Sequence, residues 1–285
     1  MKLEDISKIA VIGAGTMGQG IAQICAMAGY EVVIYDLSEQ TLVTAEANIS
    51  ANLDIGIERG KVTKAEKIAS LERITFSGDE RSLVADVIIE AIIENLEVKK
   101  ALFANLEAIN SENTILASNT SSIPITRIAA GLKCPERFVG MHFFNPAHIM
   151  KLVEVISGVA TDDNVANTIA DLARKLGKTP VMAADAPGFI VNRVARHFYV
   201  EGLKVLEEGV SDVNGIDRLM ESSGFRMGPF RLMDLIGVDT NYSVTESMFN
   251  AFHQEAKFRP SRIQQQKVDA GHHGRKSGKG FYNYD

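Results

Sequence analysis

The sequence predicts a doubly wound α/β domain followed by an all-helical one, and three observations predict it. Residues 9–36 hold a short apolar run, a glycine-rich turn, a helical pattern and a second apolar run that ends in an acid. The first 123 residues contain no proline and alternate strand-like runs with helical patterns. Strand patterns stop after Asp185-Ala-Pro187-Gly188, and only helical spacing follows.

Taken in order, Ile9 to Ile12 is a buried-strand pattern, and a helix opens near Thr16. Glu31 to Tyr35, Val87 to Glu90 and Thr114 to Ala117 are the next strands. Phe138 to Met141, Leu152 to Ile156 and Thr179 to Met182 continue with shorter connections, so some of these later strands are expected to run antiparallel. About 50 residues separate Asp36 from the Val87 strand, where a crossover needs a dozen or so. Leu42, Ala45, Ile49 and Leu53 lie at helical spacing there, and Thr63-x-x-Glu66 reads as a capping box. A helical hairpin over about 38–70 is therefore expected, either projecting from the sheet or packed flat on the domain. The domains are expected at 1–185 and 186–285. In the second, Phe189 to Glu208 and Asp212 to Ser222 read as helices, with more to about Ala270.

The glycine turn carries chemistry. Gly13 permits a tight turn, Gly15 admits a pyrophosphate against the backbone, and Gly18 lets the helix pack on the strand. The N–H groups at the helix start, from Thr16 and Met17, face the phosphates. Asp36 accepts from adenosine ribose hydroxyls and repels a 2′-phosphate, which favours NAD over NADP. This is a Rossmann-type dinucleotide site: strand, helix start, second strand and acid constrain one another.

Bulk properties narrow the remaining classes. The chain has 285 residues, 46% hydrophobic and 23% charged, enough for a sizeable core. A net charge of −6 argues against general affinity for nucleic acid or anionic membrane. Cys25 and Cys134 lack metal or redox spacing. His272-His273 has no third ligand and reads as a surface turn, so no metal is expected. Without a signal-peptide pattern or a run near the ~20 apolar residues of a membrane span, a cytoplasmic protein is expected.

Three segments stand out beyond the glycine turn. Ala117 to Ser122 follows a strand ending at the same sheet edge, Gly140 to Pro146 ends a later strand, and Lys151 to Ile156 is the strand after it. Ligands in such folds bind at the carboxyl ends of strands. A turn over Asn145 to Met150 would fold Glu154 back toward His142. Such a pair suits alcohol oxidation: the histidine takes the hydroxyl proton while a carboxylate on its other nitrogen fixes the tautomer. Ser121 is placed to donate to the substrate oxygen.

These motifs resemble the L-3-hydroxyacyl-CoA dehydrogenase family, in particular its short 3-hydroxybutyryl-CoA type. The resemblance spans almost the whole chain: Ile12 to Gly18, Glu90-Ala-Ile-Ile-Glu94-Asn95, Ala117 to Ser122, His142-Phe-Phe-Asn-Pro146, Lys151-Leu-Val-Glu154-Val, Gly177-Lys-Thr-Pro180, Pro187 to Arg193, Met227-Gly-Pro229 and Gly274 to Tyr282. It implies that His142 is the catalytic base with Glu154 its partner, and that Ser121 and Asn192 hold the substrate oxygen and the catalytic arrangement. It implies NAD contacts at Asp36, Glu94, Lys99, Asn145 and Lys276 beside the glycine loop. It implies catalysis with domain closure, coenzyme A on the hairpin and a homodimer through the helical domain.

The chain departs from the family pattern in places. His148 stands where relatives commonly have proline and reads as a solvated loop residue, a pH-dependent loop or acyl contact remaining open. Asn52 and Arg59 stand where relatives can carry serine and lysine; both still hydrogen-bond, and Arg59 or Lys61 can meet a phosphate. The implied substrate is 3-hydroxybutyryl-CoA with acetoacetyl-CoA as product. The alternative is 3-hydroxyadipyl-CoA of aromatic-acid breakdown, with Arg226, Arg231 or Arg259 pairing a distal carboxylate. A non-catalytic NAD-binding structural protein is the remote alternative, against which the joint presence of Ser121, His142, Glu154 and Asn192 argues.

Overall fold

In the computed structural model, which describes residues 1–284, the apolar runs of the first half hydrogen-bond into one 8-stranded sheet. The elements in chain order are β1 (Lys8–Ile12), α1 (Thr16–Met27), β2 (Glu31–Tyr35), α2 (Glu39–Glu58), α3 (Lys64–Glu72), β3 (Ile74–Ser77), β4 (Val87–Glu90), α4 (Leu96–Ile109), β5 (Ile115–Ser118), α5 (Ile125–Ala129), β6 (Phe138–Phe143), β7 (Leu152–Ser157), α6 (Asp163–Lys175) and β8 (Thr179–Ala184). The spatial order is β3-β2-β1-β4-β5-β6-β7-β8. The chain winds outward from β1 to β3 and then crosses to β4, which makes the β1–β4 junction the topological switch point where ligands bind. The pairs from β3 through to β6 are parallel, β6 and β7 are antiparallel, and β8 runs parallel to β7.

Alternate residues of each strand feed opposite faces, as the pleat requires. Ile9, Val11, Val32, Ile34, Val87 and Ile89 pack with α1 and α6 through Ile21, Ala22, Ile169 and Leu172. Ala10, Ile12, Ile88, Leu116, Phe138 and Ile156 pack on the other face with Phe103 and Leu106 of α4 and Ile125 and Ile128 of α5. Burial on both faces is why these strands read as continuous apolar runs.

β3 was not expected from the sequence. It is an edge strand with only Ile74 buried, so it lacks both the apolar run and the alternation that reveal the others. The preceding helical pair is present as expected. Leu42, Ala45, Ile49 and Leu53 of α2 are buried in the α1-side core, which anchors the pair to the domain. Ser38 Oγ accepts from Thr41 N at 3.2 Å at the start of α2. Thr63 and Glu66 form the anticipated capping box, Thr63 N donating to Glu66 Oε2 at 2.7 Å and Glu66 N to Thr63 Oγ1 at 3.2 Å. Lys67 Nζ to Asp54 Oδ1 at 2.6 Å ties the two helices together.

The reversal from β6 to β7 is a turn over 144–151. Lys178, only 8% exposed, donates to Ala147 O at 2.5 Å and Met150 O at 2.8 Å and so holds it shut. Burial pulls the Lys178 ammonium below its ordinary pKa. His148 lies in this turn half-buried rather than fully solvated, and burial, followed by Lys178, pulls its imidazole down, which keeps it neutral near pH 7. Cys25 is buried in the α1-side core, where burial pushes its thiol up to about 12.

The chain divides into two compact units at Phe189 and Ile190, a few residues beyond Asp185. The second unit is all helical: α7 (Val191–Glu207), α8 (Val213–Ser222), α9 (Pro229–Ile236), α10 (Val238–Ala251) and α11 (Arg262–Asp269). Tyr199, Leu203, Ile216, Phe230 and Met233 form its core. Buried carboxylates dock its last turn. Asp234 accepts from Phe281 N and Tyr282 N, each at 2.9 Å, and Asp217 accepts from Phe230 N at 2.9 Å and Tyr282 Oη at 2.8 Å. A Cβ on Gly280 would lie 2.1 Å from Asp234 Oδ1 and one on Gly228 2.3 Å from Asp217 Oδ1, which accounts for glycine in both motifs. No helix among the described residues is long and apolar enough to cross a membrane.

Phe103 is fully buried and meets Phe138 edge-on, with ring centroids 4.6 Å apart. Phe103→Ala is therefore expected to lower the unfolding free energy by about 3–5 kcal/mol in urea denaturation, through lost burial and a residual cavity. A loss near zero would contradict this packing.

Candidate active site

The site begins at the carboxyl end of β1. Gly13 has φ +95, and a Cβ there would sit 2.6 Å from Ala91 O, against the end of β4. A Cβ on Gly18 would fall 1.7 Å from Gly13 O, so only glycine lets α1 seat on the turn. Gly15 has open space where a Cβ would be, and the N-terminus of α1, from Thr16 and Met17, opens beside it with no side-chain cap. Helix-terminal N–H groups facing such a space suit a pyrophosphate.

At the end of β2, Asp36 accepts from Ala14 N through Oδ2 and from Ser38 N through Oδ1, each at 2.9 Å. Each carboxylate oxygen retains a lone pair for a ribose hydroxyl. A cavity of about 440 Å³ adjoins it, lined by Gly13, Gly15, Asp36, Leu37, Ile92 and Val98 among others. Mostly apolar walls beside the Asp36 carboxylate fit an adenosine, with Glu80 also at the lining. The residues present thus match an NAD site at loop, helix start and acid.

His142 and Glu154 are brought together. They are directly paired in the antiparallel β6–β7 register, and His142 Nδ1 lies 2.7 Å from Glu154 Oε2. The His142 side chain is 7% exposed and that of Glu154 1%. Phe144 packs on the imidazole with ring centroids 4.5 Å apart, and Phe189 with centroids 5.8 Å apart. Asn119 Oδ1 accepts from Phe143 N at 2.8 Å and so clamps the end of β6 to the segment after β5.

Ser121 lies in that same segment, held by Glu94. Oε1 of Glu94 accepts from Thr120 Oγ1 at 2.7 Å and from Ser121 N, Ser122 N and Ser122 Oγ, each at 3.0 Å. Burial pushes this carboxyl up, but Lys99 and these donors outweigh burial and hold it below the usual range. Lys99, at 1% exposure, places its Nζ 2.5 Å from Glu90 Oε1 and 3.4 Å from Glu94 Oε2. Glu90, fully buried at the end of β4, also accepts from Ile92 N at 2.7 Å and Ser118 Oγ at 2.6 Å.

Sequence reasoning missed the parts played by Glu90, Ser118 and Asn119. A signal for the Glu90–Lys99 pair alone was present: one acid closes an apolar strand, and a lysine follows nine positions on (Val87-Ile-Ile-Glu90 … Lys99). A charge at that depth needs a partner.

Asn145 is exposed in the β6–β7 turn. Asn52 is half-buried on α2, and Arg59 and Lys61 are exposed where α2 turns into α3. In the second unit, Asn192 is on the first turn of α7, and Lys276 donates to Asp239 Oδ2 at 2.7 Å.

Comparison with known proteins decides the family. The NAD-binding domain of 3-hydroxyacyl-CoA dehydrogenase matches residues 8–186, and its C-terminal domain matches residues 188–284. The chain belongs to the 3-hydroxyacyl-CoA dehydrogenase family. It is 49% identical over 98% of its length to a protein of Escherichia coli K12 named 3-hydroxyadipyl-CoA dehydrogenase, of which it spans 59%. It is 42% identical to a probable 3-hydroxybutyryl-CoA dehydrogenase of Deinococcus radiodurans, covering 97% of this chain and 100% of that one. The crystal structure of (S)-3-hydroxybutyryl-CoA dehydrogenase from Ralstonia eutropha superposes with a TM-score of 0.94 at 40% identity, covering 98% of this chain and 99% of that one.

Asp36→Ala is expected to weaken NAD binding by about tenfold or more, the worth of a charge-assisted hydrogen bond, and to narrow the preference over NADP. Fluorescence titration with both nucleotides measures this; an unmoved ratio would contradict the ribose role.

Proposed function

We propose that this chain interconverts (S)-3-hydroxyacyl-CoA and 3-oxoacyl-CoA, with 3-hydroxybutyryl-CoA and acetoacetyl-CoA as its substrate pair. The observation that carries this reading is the buried His142–Glu154 pair at 2.7 Å, in the same sheet whose first strand ends in the dinucleotide loop. NAD, when bound, accepts the hydride that leaves the carbinol carbon. In oxidation, His142 takes the hydroxyl proton on Nε2, because Glu154 holds the proton of Nδ1. Glu154 then faces the imidazolium that forms and stabilises it. In reduction the same imidazolium returns the proton. Ser121 donates to the 3-oxygen from a loop that Glu94 keeps in place, and the part of Asn192 in the catalytic arrangement rests on the family resemblance.

Coenzyme A is assigned to the α2–α3 hairpin. Arg59 and Lys61, both exposed there, suit its phosphates, with Asn52 as a polar contact. A homodimer is assigned to the helical unit, where Val194, Leu219 and Phe225 expose apolar surface at 69%, 67% and 51%.

A second reading, a dicarboxylic 3-hydroxyadipyl-CoA substrate, draws support from the name of the Escherichia coli relative and from particular arginines. Arg231 is committed to Glu221 at 3.0 Å, whereas Arg226 and Arg259 are exposed and form no ion pair among the described residues. These two are the guanidiniums left to meet a distal carboxylate.

Steady-state kinetics with NADH, comparing acetoacetyl-CoA with 3-oxoadipyl-CoA, separates the readings by kcat/KM. Preference for the adipyl thioester would replace the first reading by the second, and no turnover of any thioester would overturn both. His142→Ala is expected to lower kcat by about 10²–10⁴-fold while leaving NADH affinity within about threefold. Unchanged turnover would remove the base assignment.

A further inference from the structure

Glu90 and Lys99 are buried and ionisable, and the proton and hydride steps above use neither; Lys99, which the resemblance implies as an NAD contact, is 1% exposed and enclosed by Glu90 and Glu94. Their bonds form a continuous chain. Thr120 N donates to Ser118 Oγ at 3.2 Å, and Ser118 Oγ donates to Glu90 Oε2 at 2.6 Å. Glu90 Oε1 takes the Lys99 ammonium at 2.5 Å, and that ammonium reaches Glu94 Oε2 at 3.4 Å. Glu94 Oε1 closes the chain on Thr120 Oγ1 and on the amides of Ser121 and Ser122. The segment from Ser118 to Ser122 is thus gripped at its base by Glu90 and along its length by Glu94, with one ammonium joining the two carboxylates.

The strands explain why the grip is rigid. Glu90 ends β4 in register with Ile12 on β1 and Ser118 on β5. It therefore sits between the glycine loop and the serine segment. A fully buried carboxylate is stable there only with a countercharge, and Lys99 supplies it from the first turns of α4. Asn95 opens that helix, its Oδ1 accepting from Glu97 N at 3.0 Å and Val98 N at 3.2 Å, so the position of Lys99 is set by a capped helix rather than by a loop.

We propose that Glu90 and Lys99 are positioning residues, which fix Ser121 for the substrate oxygen through Ser118 on one side and Glu94 on the other. Lys99 acts through the carboxylates that enclose it, its side chain being 1% exposed. The inference rests on the assignment of Ser121 given above, and the test includes a measurement that needs no substrate.

The test is Glu90→Gln, examined by hydrogen exchange with and without NADH and by kinetics. Ser121 and Ser122 amides are expected to exchange about tenfold faster or more, while the glycine loop amides stay unchanged. Turnover is expected to fall by about tenfold with KM for NADH within about threefold. Ser118→Ala, a milder change that removes the same grip at its base, is expected to give the same local exchange signature if Glu90→Gln does not fold. Unchanged exchange at Ser121 and Ser122 in a folded variant would overturn the proposal. Equal loosening of the glycine loop, or turnover falling in step with NADH affinity, would also overturn it by making the pair a general structural support. Absence of acyl-CoA turnover in the unaltered protein would refute the substrate reading and leave the exchange result to decide this one.

Discussion

The antiparallel pairing of β6 with β7 is the constraint on which the site depends. A parallel continuation would require a long crossover and would carry the next strand's carboxylate away from β6. The short turn at 144–151 instead returns the chain at once, and the register sets Glu154 opposite His142. Both side chains are buried, so neither could be tolerated there without the other. Lys178 holds the turn, Asn119 holds the end of β6, and Phe144 and Phe189 pack against the ring. Order at the imidazole is thus supplied from elements far apart in sequence.

A second constraint runs across the middle of the sheet. At the junction of β1 and β4 the backbone packs too closely for a side chain at positions 13 and 18, with Ala91 O and Gly13 O standing where a Cβ would lie. The same junction carries Glu90, whose buried charge draws Lys99 inward and, through it, Glu94. These charges support the serine segment from the same sheet junction at which the glycine loop is seated. Displacement of α4 would be felt at Ser121, whereas α2 and α3 attach to the opposite face and are shielded from it.

Much of this was legible in the residues. The strands with unbroken apolar runs, the capping box at Thr63 and the helical stripe Leu42 to Leu53 follow from period and spacing, whereas the return of Glu154 toward His142 is one reading of the spacing, which the family resemblance favours. β3 was not legible, because a half-exposed edge strand of Ile74, Thr75, Phe76 and Ser77 lacks the signal of a buried one. The roles of Glu90 and Ser118 depend on strand order, which places β4 between β1 and β5, and local sequence does not encode that order. The glycines at 228 and 280 were visible as motifs, but their cause, the buried carboxylates of Asp217 and Asp234, appears only in the folded chain.

In the proposed mechanism Glu154 fixes the protonation of His142, so that Nε2 is the reactive nitrogen. Nitrogen-15 NMR of the histidine-labelled protein near neutral pH tests it most directly. His142 in its neutral form is expected to carry its proton on Nδ1, hydrogen-bonded to the carboxylate, and Glu154→Gln is expected to disturb this tautomer. A neutral imidazole protonated on Nε2, or a spectrum unmoved by Glu154→Gln, would contradict it.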